Sequence, residues 1–427
     1  MGIRCLPPAH YGFVQADGSV SLTRYESYER TGDFRGSYAD AVEEVRRLVN
    51  ESVRLRMIAD VPVGTFLSGG IDSSIVATLM ARNFDGPIQT FTMGFPTFGF
   101  DEREEARDLA RRLGADHHEY EAQPGDIPAL IDTLVSLYDA PFADASALPT
   151  WLLARATRQH VKAVMTGDGG DELFAGYRRY QAFLQAKKLR DHHLDGLAGM
   201  AAHLLSMGLR QPRYQRFARL LEAIRRSDGE GYASLFTGSY FSAPDEPALL
   251  QPDFCAATQA SASEPFVRDH ARGAGLSAAL HFDLTSYLPD DLNVKMDRAS
   301  MAHGLEARAP FLDQELVRFV MTLPLSLLLK ERMPKPLLKA AFQDLLPKEV
   351  FRRPKRGFQV PLGQWFRRDL RGLYVERCLT SGVSIHQFCR PQEMERYLRE
   401  NDRGLDQGNR LWMLLVLATW LEHYGKS

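Results

Sequence analysis

Two short stretches carry residue types that could do chemistry together. The first is Ser68-Gly69-Gly70-Ile71-Asp72-Ser73-Ser74. Gly69 and Gly70 let the backbone turn sharply and approach a ligand closely. The serines add hydroxyl donors. A helix starting here would add unpaired N–H groups and the positive end of its dipole. Such a turn suits phosphate or pyrophosphate. Asp72 is out of place against phosphate alone, and is explained by a Mg²⁺ ion lying between them. The plainer reading is a Ser/Gly turn with Asp72 as a helix N-cap. The second stretch is Thr166-Gly167-Asp168-Gly169-Gly170-Asp171-Glu172. It repeats the arrangement, with glycines first and acids after. Asp171 could complete a Mg²⁺ site with Asp72, because Mg²⁺ takes one or two carboxylates plus phosphate oxygens. The first stretch lacks the GK[ST] of a Walker A loop. The second lacks the spacing of an EF-hand.

The elements around these stretches must position them. An apolar run, Val61 to Leu67, reads as a buried strand entering the first loop, and helix Ser74 to Asn83 leaves it. A helix over Tyr38 to Met57 precedes them, with Ala41, Val45, Leu48, Val49 and Val53 on one face. Strand Ile88 to Met93, helix Glu102 to Leu113, strand His118 to Tyr120 and helices Ile127 to Tyr138 and Leu148 to Gln159 follow. Strand Val161 to Met165 runs into the second loop. This alternation predicts an α/β fold, a parallel sheet flanked by helices. Ligands in such sheets sit beyond the carboxyl ends of the strands, so the loops after Leu67, Met93 and Met165 should share one crevice. Residues 1–36 read as a hairpin and linker, residues 37–180 as the α/β core, and residues 181–427 as a largely helical region. Within that region 242–264 reads as a loop. Helices are expected at Leu312 to Met321, Lys335 to Leu346, Pro391 to Asn401 and Arg410 to His423.

Totals exclude several classes. The chain has 427 residues, a formal net charge of −2 and a pI near 6.7. No global field favours nucleic acid or an anionic membrane. The basic stretch Phe351 to Arg371 reads as a solvated surface rather than a nucleic-acid contact. The cysteines, Cys5, Cys255, Cys378 and Cys389, form no CxxC pair and suggest neither zinc nor a disulfide framework. His117-His118 and His192-His193 read as ordinary histidines, since neighbours in sequence point in different directions. The N-terminus lacks an apolar signal-peptide core. The longest apolar run, Leu411 to Leu421, is too short to span a bilayer. A cytoplasmic location is the expectation.

The first loop resembles the PP-loop of the ATP pyrophosphatases, which cut ATP between the α and β phosphates. Longer stretches resemble the synthetase domain of the asparagine synthetase family: FLSGGIDSS (66–74), TFTMGF (90–95), TGDGGDELFAGYRRY (166–180), YLPDDLNVKMDRASMAHGLEARAPFLD (287–313) and KPLLKAAF (335–342). The resemblance implies a PP-loop, HUP-like α/β core and an enzyme using ATP and Mg²⁺. That family activates a carboxylate as an acyl-adenylate, releases pyrophosphate, and transfers an amine to the acyl carbon. It implies that Leu67, Met93, Thr166 and Gly167 line the adenosine site. Ser68, Gly69, Gly70, Ser73 and Ser74 would hold pyrophosphate, with Asp72 and Asp171 on Mg²⁺. Lys335 matches the family's lysine that neutralises charge growing on the α-phosphate. Its plainer reading is a solvated lysine at a helix start, in which case Lys339 is the candidate. Asp168 stands where asparagine-forming members commonly carry Glu, a residue that aids intermediate formation or accepts the amine's proton.

Three departures qualify the resemblance. Asp168 is one methylene shorter than Glu. A Thr-Thr-Ile-Arg stretch thought to help bind aspartate is replaced by Phe142-Ala143-Asp144-Ala145, so its arginine is missing, and Arg308 is the candidate to compensate. A glutaminase domain beginning with cysteine is expected in full-length members, whereas here residue 2 is Gly2 and residues 1–30 resemble only that domain's tail. The partners implied are a carboxylate acceptor, ammonia, and a glutaminase domain or subunit in trans, with a homodimer left open. Aspartate is the first acceptor to consider, and a sugar, peptide or natural-product carboxylate the alternative. A non-catalytic regulatory paralogue is the remaining rival, and the intact Asp72, Asp171 and Lys335 argue against it.

Overall fold

The computed structural model describes residues 5–95, 101–123, 125, 127–181, 183–184, 232, 241, 246–259, 275–329, 333–353 and 360–425. A hairpin of β1 (His10–Val14) and β2 (Val20–Arg24) comes first. The linker after it packs Tyr28 and Phe34 onto the core. Helix α1 (Tyr38–Met57) starts at a capping box in which Ser37 and Asp40 satisfy each other's backbone N–H groups. Such a cap contributes about 1 kcal/mol.

The centre is a five-stranded parallel sheet. Its strands are β3 (Val63–Phe66), β4 (Gln89–Gly94), β5 (Asp116–Glu121), β6 (Ala163–Met165) and β7 (Glu306–Arg308), in the order β5-β4-β3-β6-β7. Helices α2 (Ile71–Arg82), α3 (Arg103–Leu113), α4 (Ile127–Tyr138) and α5 (Ala147–Thr157) connect the first four strands. Successive strand residues point to opposite faces, and both faces are covered. Phe91, Met93 and Val164 pack with α4, α5 and the C-terminal helices. Leu67 and Met165 pack with α1, α2 and residues 316–350. The α/β parallel sheet predicted from the sequence is therefore present.

Several boundaries differ for physical reasons. Helix α2 begins at Ile71 rather than Ser74. Gly69 is left-handed at φ +70° and Gly70 is the extended N-cap, so the chain is already turned when Ile71 arrives. Strand β7 was not expected. It is three residues long, too short for an alternating pattern, and it pairs Ala163↔Glu306 to Met165↔Arg308. Residues from beyond 180 thus complete the sheet. The stretch 242–264, expected as a loop, contains helices Glu246–Leu249 and Pro252–Gln259. Residues 185–231, within the expected helical region, lie outside the described residues.

The Leu411 to Leu421 run lies within helix Gly408–Tyr424, where it is mostly buried. Arg377 ties this end of the chain to α4 through a two-pronged contact with Asp132, both bonds 2.8 Å. Among the described residues no helix is long and apolar enough to cross a membrane. Cys5, Cys378 and Cys389 are free thiols. Trp365, in the basic stretch, is buried at 4% exposure and cannot stack on a base. His118 stacks on Phe91 at 5.0 Å between ring centroids. His192 and His193 lie outside the described residues.

Candidate active site

The register of the sheet brings the two glycine-rich loops together. Thr65 of β3 pairs with Met165 of β6, so both strands end side by side. The backbones then approach so closely that side chains are excluded. A Cβ on Gly170 would stand 2.6 Å from Asp72 Oδ1, and one on Gly167 would stand 3.0 Å from the Ser73 nitrogen. These two glycines are needed for contact between loops rather than for a special φ.

Asp72, Ser73 and Ser74 occupy the first turn of α2, where the helix dipole is positive. The first loop is held by its own hydroxyls. Ser73 Oγ lies 3.0 Å from Ser68 Oγ and accepts from the Ser68 N–H, while the Gly70 N–H donates to Ser68 Oγ. Ser74 Oγ is buried and has no hydrogen-bond partner among the described residues. Leu67 and Met93 are buried beside the loop. The Thr166 N–H donates to the Arg308 carbonyl, which anchors the second loop to β7. Residues 96–100, after β4, are outside the described residues.

Lys335 comes from a third segment. It is the N-cap of helix Pro336–Phe342 and is left-handed at φ +52°, uncommon for a residue with a side chain. It is only 3% exposed, so it is not the solvated lysine of the plainer reading. Its ammonium donates to Asp72 Oδ2 and lies 2.7 Å from Asp171 Oδ1. Three predicted site residues thus meet at one nitrogen. Gly176 makes room, since a Cβ there would collide with the Asp171 carboxylate and Lys335 Cε. Lys339 is turned away, donating to the Phe351 carbonyl at 3.4 Å. Burial, and then the Lys335 charge, pushes its pKa down.

Two carboxylates converging on one cationic centre fit a Mg²⁺ ion bound with phosphate. Asp72 Oδ1 supports this, being buried with no hydrogen-bond partner among the described residues. No group of three or more His, Cys, Asp or Glu side chains among them could hold a metal alone. The pair therefore suits an ion that brings phosphate oxygens with it.

Asp168 is half-buried, and desolvation raises its pKa; Thr166 and Lys295 pull it down, and Asp72 pushes it up. Lys295 was not singled out in the sequence. It donates to Asp144 Oδ2 at 2.8 Å. Asp291, four residues before it, has its pKa pushed up to about 7 by burial and then by Asp144. The spacing of Asp291 and Lys295 on one helical face was a readable signal. The approach of Asp144 was not, because nothing local encodes it. Glu172 is also buried, which pushes its pKa up to about 7, and it accepts from the Tyr177 hydroxyl.

Arg308, the candidate to compensate for the missing arginine, bonds to the end of α1. Its guanidinium donates to the Arg56 carbonyl at 2.6 Å, the Ile58 carbonyl at 3.0 Å and Glu306 at 2.8 Å. It closes the C-terminal end of α1.

The family model for asparagine synthase matches residues 44–422. The chain belongs to this family. Asparagine synthetase [glutamine-hydrolyzing] 1 of Bacillus subtilis is 28% identical over 98% of this chain and 65% of its own length. Amidase chyE of Penicillium rubens is also 28% identical, over 85% of this chain and 59% of its own. The chain spans less than two thirds of the length of these relatives. A solved structure of NMN synthetase from Francisella tularensis covers 33% of this chain and 59% of its own, at 20% identity and a TM-score of 0.21. A likeness of that size carries no argument.

Proposed function

We propose that this chain is the synthetase part of an ATP-dependent amide ligase. It adenylates a carboxylate, releases pyrophosphate, and passes the acyl group to ammonia. The observation that carries this reading is the meeting of Lys335, Asp72 and Asp171 where the two glycine-rich loops touch.

In this reading Leu67, Met93, Thr166 and Gly167 line the adenosine site. Ser68, Gly69, Gly70, Ser73 and Ser74 cradle the β and γ phosphates with hydroxyls and N–H groups. Asp72 and Asp171 would hold Mg²⁺, which offsets phosphate charge when bound. An acceptor carboxylate oxygen attacks the α-phosphorus, the bond to the bridging oxygen breaks, and pyrophosphate leaves with the electron pair. Lys335 neutralises charge building on the α-phosphate. The amine then attacks the acyl carbon and AMP departs. Asp168 takes the amine's proton, and its raised pKa makes it a better base than a fully solvated aspartate.

Free aspartate, giving asparagine, is the first acceptor to test. A second reading keeps the chemistry and changes the acid to one on a sugar, peptide or natural product. Commitment of Arg308 to the end of α1 favours it. So does the amidase name carried by a relative. The amine would come from ammonia or from a glutaminase domain or partner, in the cytoplasm. Pyrophosphate release and AMP formation with a panel of acids test the proposal. Conversion of ATP to ADP, or ATP turnover indifferent to every acid, would refute it.

A further inference from the structure

Beside Asp168 lies a group of charges that the chemistry above leaves unused. Asp144 precedes α5 and is rigidly held. Its Oδ1 accepts from the Ser146 N–H at 2.9 Å and the Ser146 hydroxyl at 2.8 Å, and its Oδ2 accepts from Lys295 Nζ at 2.8 Å. Lys295 sits in helix Val294–Met301, and its side chain is 12% exposed. Asp291 lies one turn earlier, on a wide-turn segment, Asp283–Asn293, interrupted by Pro289. Its Oδ1 is buried with no hydrogen-bond partner among the described residues.

The balance of charge is lopsided. Asp144 binds Lys295 directly; Asp168 and Asp291 also feel Lys295, and Arg179 acts on Asp291, so three acids face two cations. Neighbouring cations are engaged elsewhere, Arg179 on Asp283. Arg298 donates to the carbonyls of Leu137 and Tyr138, Arg308 is bound at the end of α1, and Lys335 is on Asp72 and Asp171. Asp144 also stands within Phe142-Ala143-Asp144-Ala145, the stretch that carries no arginine. The wall beside Asp168 therefore repels a second carboxylate and attracts an ammonium group, whose hydrogens Asp291 Oδ1 can accept.

We propose that the Asp144–Lys295 pair, with Asp291, selects the acceptor: it turns away an acid with a second free carboxylate and favours one bearing a protonated amine near the reacting carboxyl. The selection rests on the ligase reading, because it assigns this wall to the acceptor.

Binding calorimetry in the presence of Mg²⁺ and α,β-methylene-ATP tests it with three probes. Aspartate carries an ammonium and a second carboxylate. Isoasparagine keeps the ammonium and replaces the α-carboxylate with a neutral amide. N-acetyl-isoasparagine loses the ammonium. The wild-type chain should bind isoasparagine at least tenfold more tightly than either of the others. Asp144→Asn, which frees the Lys295 ammonium, should move the aspartate-to-isoasparagine ratio at least tenfold toward aspartate. Lys295→Met added to it should cancel that gain. Aspartate binding as tightly as isoasparagine, binding of neither, or an unchanged ratio in a folded Asp144→Asn variant would overturn the proposal. The wild-type comparison stands alone if the variants do not fold. Failure of the ligase reading shows separately, as absence of acid-dependent AMP formation.

Discussion

Replacing Lys335 by Met removes the ammonium while keeping most of the side chain's bulk. Asp72 and Asp171, both touching that nitrogen, are then left facing each other. Two hydrogen-bond lengths place the carboxylates about 5 Å apart. At an effective dielectric near 20, two like charges at that distance repel by about 3 kcal/mol. Both side chains are less than a fifth exposed, so water relieves little of this. The Lys335→Met variant should therefore lose about 3 kcal/mol of folding stability at pH 8. Millimolar Mg²⁺ should relieve the deficit at pH 8 and barely affect the wild type. Urea denaturation at pH 8, with and without Mg²⁺, measures both. Wild-type stability of the variant under every condition would refute the inferred coupling of the three side chains.

Other outcomes are equally specific. Asp168→Ala should leave ATP affinity within a fewfold and slow amide formation by roughly a hundred- to ten-thousandfold, the range for a positioned acid–base group; wild-type turnover would make the second loop a mere turn. Asp168→Glu should retain asparagine formation if the pocket suits free aspartate, and lower activity on a larger acceptor. Arg377→Met should cost about 1 kcal/mol at pH 7, a modest value because Asp132 is 41% exposed; Arg377 holds the Asp132 pKa down, so the cost should fade as pH drops through the carboxylate range.

The loops and their flanking elements were legible because they are local. An apolar strand, a pair of glycines and an amphipathic or apolar helix follow one another along the chain, and α1 and α4 match their expected limits. The meeting of Asp72 with Asp171 could be anticipated, since both follow strands of one parallel sheet. The left-handed backbone that aims Lys335 inward could not, because no residue type nearby demands it. Strand β7 gave no periodic signal in three residues. The Asp144–Lys295 pair joins positions 151 residues apart, so only packing could bring them together. Arg308 misled for a related reason: its type suited an acceptor carboxylate, but two carbonyls at the end of α1 already bind it.

In the proposed function Asp72 serves a phosphate-bound cation where the loops meet. ATP–pyrophosphate exchange with an accepted acid, compared between wild type and Asp72→Asn, tests it most directly. The substitution keeps shape and removes one negative charge. Exchange should fall on the order of a hundredfold or more, with the variant still folded. Exchange by Asp72→Asn at the wild-type rate would remove Asp72 from the site.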